Sequence, residues 1–204
     1  MPTRTTVPLR VTESLAAIAA EQADAIRRFL ASDVAAGTAS GGPASVESAA
    51  AELRAARRVF VLGAGRSGLA LRMTAMRLMH LGLEVHVVGE VTTPAIAAGD
   101  VLLVASGSGS TAAIVRAAET ATAAGARVTA ITTAPASPLA ALAAVTVVIP
   151  AAQKQDHGGR LSIQYSGGLF EQVVVVLGDA IFHSLWTASG ATADELWPRH
   201  ANLE

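Results

Sequence analysis

Two loops rich in glycine and hydroxyl side chains carry the clearest chemistry in this 204-residue chain. The first reads Gly63-Ala64-Gly65-Arg66-Ser67-Gly68, the second Ser106-Gly107-Ser108-Gly109-Ser110-Thr111. Each follows an apolar run, and the second opens an alanine-rich helical pattern. Glycine lets a backbone come close to an anion, and free N–H groups at a helix start point towards one. The hydroxyls of Ser106, Ser108 and Thr111 add donors for phosphate oxygens. Neither loop contains lysine, which argues against a nucleotide-hydrolysing P-loop. The same residues could serve only as tight turns. The G-x-G-x-x-G spacing of residues 63–68, with Glu90 22 residues after Gly68, also fits a dinucleotide site. A dinucleotide fold has no use for a hydroxyl-rich cradle after its third strand, so the pair of loops suits one small phosphorylated ligand better.

Groups able to move protons are few. Glu171 stands near the start of a long apolar segment, beside the run VVVV. It is either a base in a partly buried setting or a first-turn glutamate favoured by the helix dipole. Of the five histidines, His86 alternates within a strand pattern and His157 sits in a polar loop, so both read as structural or solvated. His80 closes a crossover helix, a position typical of a core or interface. His183 follows Glu171 by twelve residues on one helix, roughly 18 Å along the axis, too far to share a site within one chain. His200 lies in a tail whose Trp197 and Leu203 are unusual for a solvated end. The single lysine, Lys154, stands in the polar stretch QKQDHGG, with no apolar pocket to activate it as a Schiff base.

The absence of cysteine excludes a disulfide framework, a thiolate nucleophile and a cysteine-based zinc site. No cluster of metal-ligand spacing is visible. A net charge of −1 without a basic stripe points away from nucleic acid and anionic membranes. The start MPTRTTVPLR lacks a signal-peptide apolar core, and the longest apolar stretch is short and interrupted by Asp179. A cytoplasmic location is therefore expected.

The elements that must hold these loops follow from hydrophobic spacing. Residues 12–36 read as a helix, 37–45 as a break, and Ser45 as the cap of a second helix running to about Arg57. Then come RVFVLG, EVHVVGE, DVLLVAS, RVTAIT and AVTVVIP as strands. Helices RSGLALRMTAMRLMHLG and TAAIVRAAETATAAG intervene. The strands are continuous apolar runs, which means burial on both faces. With helical crossovers they predict an α/β fold, a doubly wound five-stranded parallel sheet of flavodoxin-like type with N-terminal helices. In such sheets ligands bind beyond the carboxyl ends of the strands, where both loops fall. A last helix is expected at 168–189. A single domain is expected, with residues 1–45 as N-terminal helix and linker, 46–190 as core and 191–204 as tail. With 51% hydrophobic but only 3% aromatic residues, alanine, valine and leucine must build that core.

The motifs GAGRSG, AMRLMHLG, SIQYSGGLFEQ and RHANLE resemble those of the SIS (sugar isomerase) family, and within it the 6-phospho-3-hexuloisomerases. The resemblance covers roughly residues 46–204. It departs at Tyr165-Ser166, where that family often has Pro-Met, and at Gly168, where it often has a hydroxyl residue. The resemblance implies that Ser106, Gly107, Ser108, Gly109 and Thr111 bind the substrate phosphate together with Ser67 of the first loop. Gly65 and Arg66 are further candidates for substrate contact, though Arg66 could instead pair with an acidic neighbour. It implies Glu171 as the carbon-proton base. The segment ending in RHANLE is also similar to arabinose 5-phosphate isomerases, which implies a catalytic His200, carried to a neighbouring subunit's site. The implied reaction interconverts D-arabino-3-hexulose 6-phosphate and D-fructose 6-phosphate through a 2,3-enediol, in the ribulose monophosphate pathway of formaldehyde fixation. It needs no metal or redox cofactor. A homotetramer built as a dimer of dimers is implied as well. Competing readings are an arabinose 5-phosphate or phosphoheptose isomerase, a phosphosugar-sensing module and a nicotinamide-dependent oxidoreductase.

Overall fold

In the computed structural model, which describes residues 10–32, 43–151 and 162–203, five parallel strands form one sheet in the order β2-β1-β3-β4-β5. They are β1 (Val59–Gly63), β2 (Val85–Val87), β3 (Val101–Ala105), β4 (Arg127–Thr132) and β5 (Val145–Val148). Helices α1 (Val11–Ala31), α2 (Pro43–Ala55) and α3 (Arg66–His80) occupy the first part of the chain. They are followed by α4 (Ala112–Ala123), α5 (Pro138–Leu142), α6 (Gly168–Ser189) and α7 (Ala193–Leu196). Alternate residues of each central strand feed two separate cores. Val59, Val61, Val101 and Leu103 pack under α1, α2, α3 and α6, while Phe60, Leu102 and Val104 pack under α4 and α5. This two-sided burial is what the unbroken apolar runs predict.

The base of the sheet is tied by Asp100, which is fully buried between the starts of β1 and β3. It accepts from Arg58 Nη2 at 2.7 Å and the Ala97 N–H at 2.9 Å, with Arg57 Nη2 3.0 Å away. Burial opposes its ionisation. The hydrogen bonds from Arg58 and Ala97 and the charges of Arg58 and Arg57 outweigh it and hold the carboxyl below the usual range.

Some expected boundaries move. Helix α2 starts at Pro43, so Ser45 lies inside the helix instead of capping it; proline suits a first turn because it has no N–H to leave unpaired. The described part of the first helix ends at Ala31, and the stretch 33–36 lies outside the described residues. Helix α5 was not expected; Ser137 caps it by accepting from the Ala140 N–H at 3.3 Å, with Pro138 at its first position. Helix α6 coincides with its expected span. By length and composition it is apolar enough to cross a membrane, unlike the interrupted run read from the sequence. Here it is a core helix, burying Leu169, Phe170, Val173, Val174 and Ile181. A Cβ at Gly178 would stand 2.1 Å from Thr74 Oγ1, so only glycine lets α6 lie this close to α3.

Candidate active site

Both hydroxyl-rich loops leave the carboxyl end of the sheet side by side, since Gly63 of β1 is in register with Ala105 of β3. In the first loop, a Cβ at Gly68 would meet the Gly63 carbonyl oxygen at 2.4 Å, which explains the outer glycines of the motif by strand–helix contact alone. Gly65 has φ +58° with open space around it, so it needs glycine for its backbone. Arg66 opens α3, and Ser67 is buried in its first turn.

The second loop is held from beneath. The Gly107 carbonyl accepts from the Thr133 N–H at 3.0 Å, Thr132 Oγ1 at 3.1 Å and Thr133 Oγ1 at 2.8 Å. The Gly109 carbonyl accepts from the Leu139 N–H at 3.0 Å. Ser106 and Thr111 share a hydroxyl–hydroxyl hydrogen bond at 3.3 Å, and Ser108 Oγ accepts from the Ser110 N–H at 3.3 Å. Thr111 precedes α4 without capping it, leaving its hydroxyl facing Ser106 across the loop mouth. Thr132, Thr133 and Ser137 were not expected to matter. Their signal is the hydroxyl pair at the end of the strand next to β3, a place where side chains can reach a neighbouring loop.

Glu171 lies in the first turn of α6 with its side chain only 4% exposed, and its carboxylate pairs with the Nε of Arg66. The preceding turn uses two left-handed residues, Ser166 at φ +47° and Gly167 at φ +83°. Glu21 on α1 anchors this turn: its carboxylate accepts from the Ile163 N–H at 2.6 Å and from Ser162 Oγ and Gln164 Nε2 at 3.0 Å. Gln164 and Gln172 bond reciprocally at 3.1 and 2.8 Å. Phe170, next to Glu171, packs against the second loop, 3.6 Å from where a Gly107 Cβ would be. Arg66, Leu69, Met73, Glu171, Gln172 and Val175 line a cleft of about 220 Å³. A buried carboxylate and the guanidinium of the first loop thus meet at an apolar cleft, an arrangement able to shift a carbon-bound proton.

His200 is elsewhere. Helices α3 and α6 run in the same direction, since Arg66 meets Glu171 near their starts and Arg77 lies 3.6 Å from Asp179 further along. The tail folds against the far end of α3, roughly 21 Å from Arg66 by helix rise. Arg199 Nη1 donates to the His80 carbonyl at 3.2 Å. The His200 ring stacks between His80 (4.0 Å between centroids) and Trp197 (4.6 Å). Burial, with His200 and Arg77 beside it, holds His80 below the usual imidazole range. The tail was expected to dock through Trp197 and Leu203, on a neighbouring subunit. Both are exposed on this chain, at 68% and 99%, while Arg199 and His200 contact the end of its own α3. The remaining candidates are dispersed: His86 pairs with Glu84 at 3.0 Å, His183 packs edge-on to Trp186, and Glu90 is held by Arg72. His157 and Lys154 lie outside the described residues.

The SIS domain model matches residues 52–166, and the chain belongs to the SIS domain family. Among its relatives, a Mycobacterium gastri protein named 3-hexulose-6-phosphate isomerase is 63% identical over 147 residues, which is 72% of this chain and 74% of the relative. A Bacillus subtilis protein of the same name is 37% identical, covering 72% of this chain and 80% of its own length. A Methanococcus jannaschii crystal structure, described as inferring a 3-hexulose-6-phosphate isomerase function, is 26% identical with a TM-score of 0.77. The alignment covers 94% of this chain and 99% of that one.

Proposed function

We propose that this chain is an isomerase interconverting D-arabino-3-hexulose 6-phosphate and D-fructose 6-phosphate through a 2,3-enediol, within the ribulose monophosphate pathway. The observation that carries the reading is the 63% identity to a relative of that name, supported by the pairing of Glu171 with Arg66 of the first glycine-rich loop. Because the 6-hydroxyl is esterified, a ketone at C3 cannot close a five- or six-membered ring, so the substrate arrives open and needs no ring-opening acid. Ser106, Ser108, Thr111 and Ser67, with the backbone at Gly107 and Gly109, hold the phosphate. Glu171 takes the C2 proton and returns one to C3, while Gly65 and Arg66 border the sugar.

His200 moves protons between O2 and O3. Far from the Glu171 of its own chain, it serves that of a second copy in this reading, in a homotetramer made of two dimers. Residues 46–190 form the SIS core, with 1–45 and 191–204 as appendages, in a cytoplasmic enzyme. The test is a panel of sugar phosphates including arabinose 5-phosphate and sedoheptulose 7-phosphate. Only the 3-hexulose and fructose 6-phosphates should interconvert. Turnover of the pentose or heptose ester with neither hexulose converted would reject the reading.

A further inference from the structure

Glu171 sits on a helix end that its local sequence leaves weakly fixed. Gly167, at the N-cap of α6, has no side chain to bond the first-turn N–H groups, and another glycine, Gly168, follows it. Ser166, just before them, holds φ +47°, a left-handed conformation that persists only where the surroundings impose it. The pairing of Glu171 with Arg66 orients the carboxylate, but the backbone that carries it is placed by the turn before it.

That turn is held from α1. Glu21, Ala25 and Phe29 recur every four residues and so share one face of α1. Ala25 and Phe29 are buried in the same core as Val173 and Leu177 of α6, which aims Glu21 at the start of that helix. One oxygen of its carboxylate accepts from the Ile163 N–H, the other from Ser162 Oγ and Gln164 Nε2. Burial opposes the charge. The hydrogen bonds from Ile163, Gln164 and Ser162, with the charge of Arg28, outweigh it and keep Glu21 below the usual carboxylate range. Gln164 passes the contact on. Its amide exchanges two hydrogen bonds with Gln172, which follows Glu171 and lines the same cleft. It also lies against the helix start, since a Cβ at Gly168 would stand 3.2 Å from Gln164 Oε1.

We infer that Glu21 is a positioning residue of the isomerase site: from outside the stretch matched by the SIS model, it fixes the turn at residues 162–167 and, through it, the place of Glu171 on the cleft. This rests on the isomerase reading above. A base must lie within hydrogen-bond reach of the carbon-bound proton, and a small displacement lowers turnover far more than binding. The proposed phosphate loops follow β1 and β3, not this turn, so loss of the clamp falls on kcat and not on KM.

The test is conversion of fructose 6-phosphate by wild type, Glu21→Gln, Gln164→Leu and the double variant, with Tm measured alongside. Whichever way it turns, a glutamine amide sets N–H groups against N–H or O–H donors. Glu21→Gln should therefore lower kcat at least about tenfold and change KM less than about twofold. Gln164→Leu cuts the link to Gln172 and should do the same. The double variant should be about as slow as the slower single one, because both break one chain of contacts. Glu13→Gln removes a charge that pairs with Arg10 on the same helix and should leave both constants unchanged. A residue that only docks α1 would lower Tm and spare the kcat of the folded protein. A smaller fall in kcat for either folded single variant overturns the inference, as do losses that multiply in the double variant. Should Glu21→Gln not fold, Gln164→Leu decides by the same criterion. A wild-type protein that converts neither hexulose ester would overturn the isomerase reading and the inference together; an active wild type with an unimpaired Glu21→Gln overturns the inference alone.

Discussion

Replacing Gly109 with alanine probes the proposed phosphate loop at a point where its shape is tightly set. Gly109 has φ +60°, and a Cβ there would stand 2.1 Å from Ser137 Oγ and 2.4 Å from Ser137 Cβ. The left-handed backbone costs alanine about 1–2 kcal/mol. Forcing a methyl group into filled space adds about 1–3 kcal/mol. Together these predict a loss of about 2–5 kcal/mol, or about 4–20 °C in Tm for a chain of this size. Ser137 cannot swing away freely, because it caps α5 through the Ala140 N–H. If the loop yields instead, the Ser106–Thr111 pair is disturbed and KM for the sugar phosphate rises. Thermal melting and steady-state kinetics read both outcomes. The double variant Gly109→Ala/Ser137→Gly should recover the packing share, about 1–3 kcal/mol, but not the backbone share. A single variant with Tm within 2 °C of wild type and unchanged KM would refute the reasoning.

Ser106→Ala/Ser108→Ala should raise KM strongly while leaving the fold intact; unchanged kinetics would remove them from phosphate binding. Glu171→Gln and His200→Ala should each be nearly inactive yet oligomeric, and dissociating and reassembling an equal mixture should rebuild about a quarter of the sites. Verified mixed oligomers with no recovery would reject a site shared between copies. Asp100→Asn should cost about 3 kcal/mol at pH 7. Because the Asp100 carboxyl is held below its ordinary range, its contribution is present above the unfolded value of about 3.9 and fades as pH falls through the folded one. Urea unfolding should therefore show the gap between wild type and variant closing in acid, and a gap independent of pH would contradict the assignment.

The sheet was legible because its central strands are apolar runs buried on both faces, and the loops because glycine and serine recur at its carboxyl edge. The ends of elements were less so: Pro43 starts α2 where a serine cap at residue 45 looked sufficient, and α5 spans too few residues to show a period. Glu171 could be singled out from its place on α6, yet its partner Arg66 lies 105 residues away. Nothing local in the sequence joins the two. The same holds for Glu21, which anchors the Ser162–Gln164 turn across more than 140 residues. The contacts of the tail with its own chain were not legible: they rely on imidazole stacking and one guanidinium, both of which depend on where α3 ends.

The central claim is that Glu171 moves a proton between C2 and C3, and deuterium reports it directly. Fructose 6-phosphate incubated with the protein in D₂O should gain deuterium at C3, seen as loss of that proton signal by NMR, and Glu171→Gln should abolish the gain while still binding the ester. Deuterium at C1 instead would indicate an aldose–ketose isomerase, and C3 exchange that survives Glu171→Gln within tenfold of wild type would place the base on another residue.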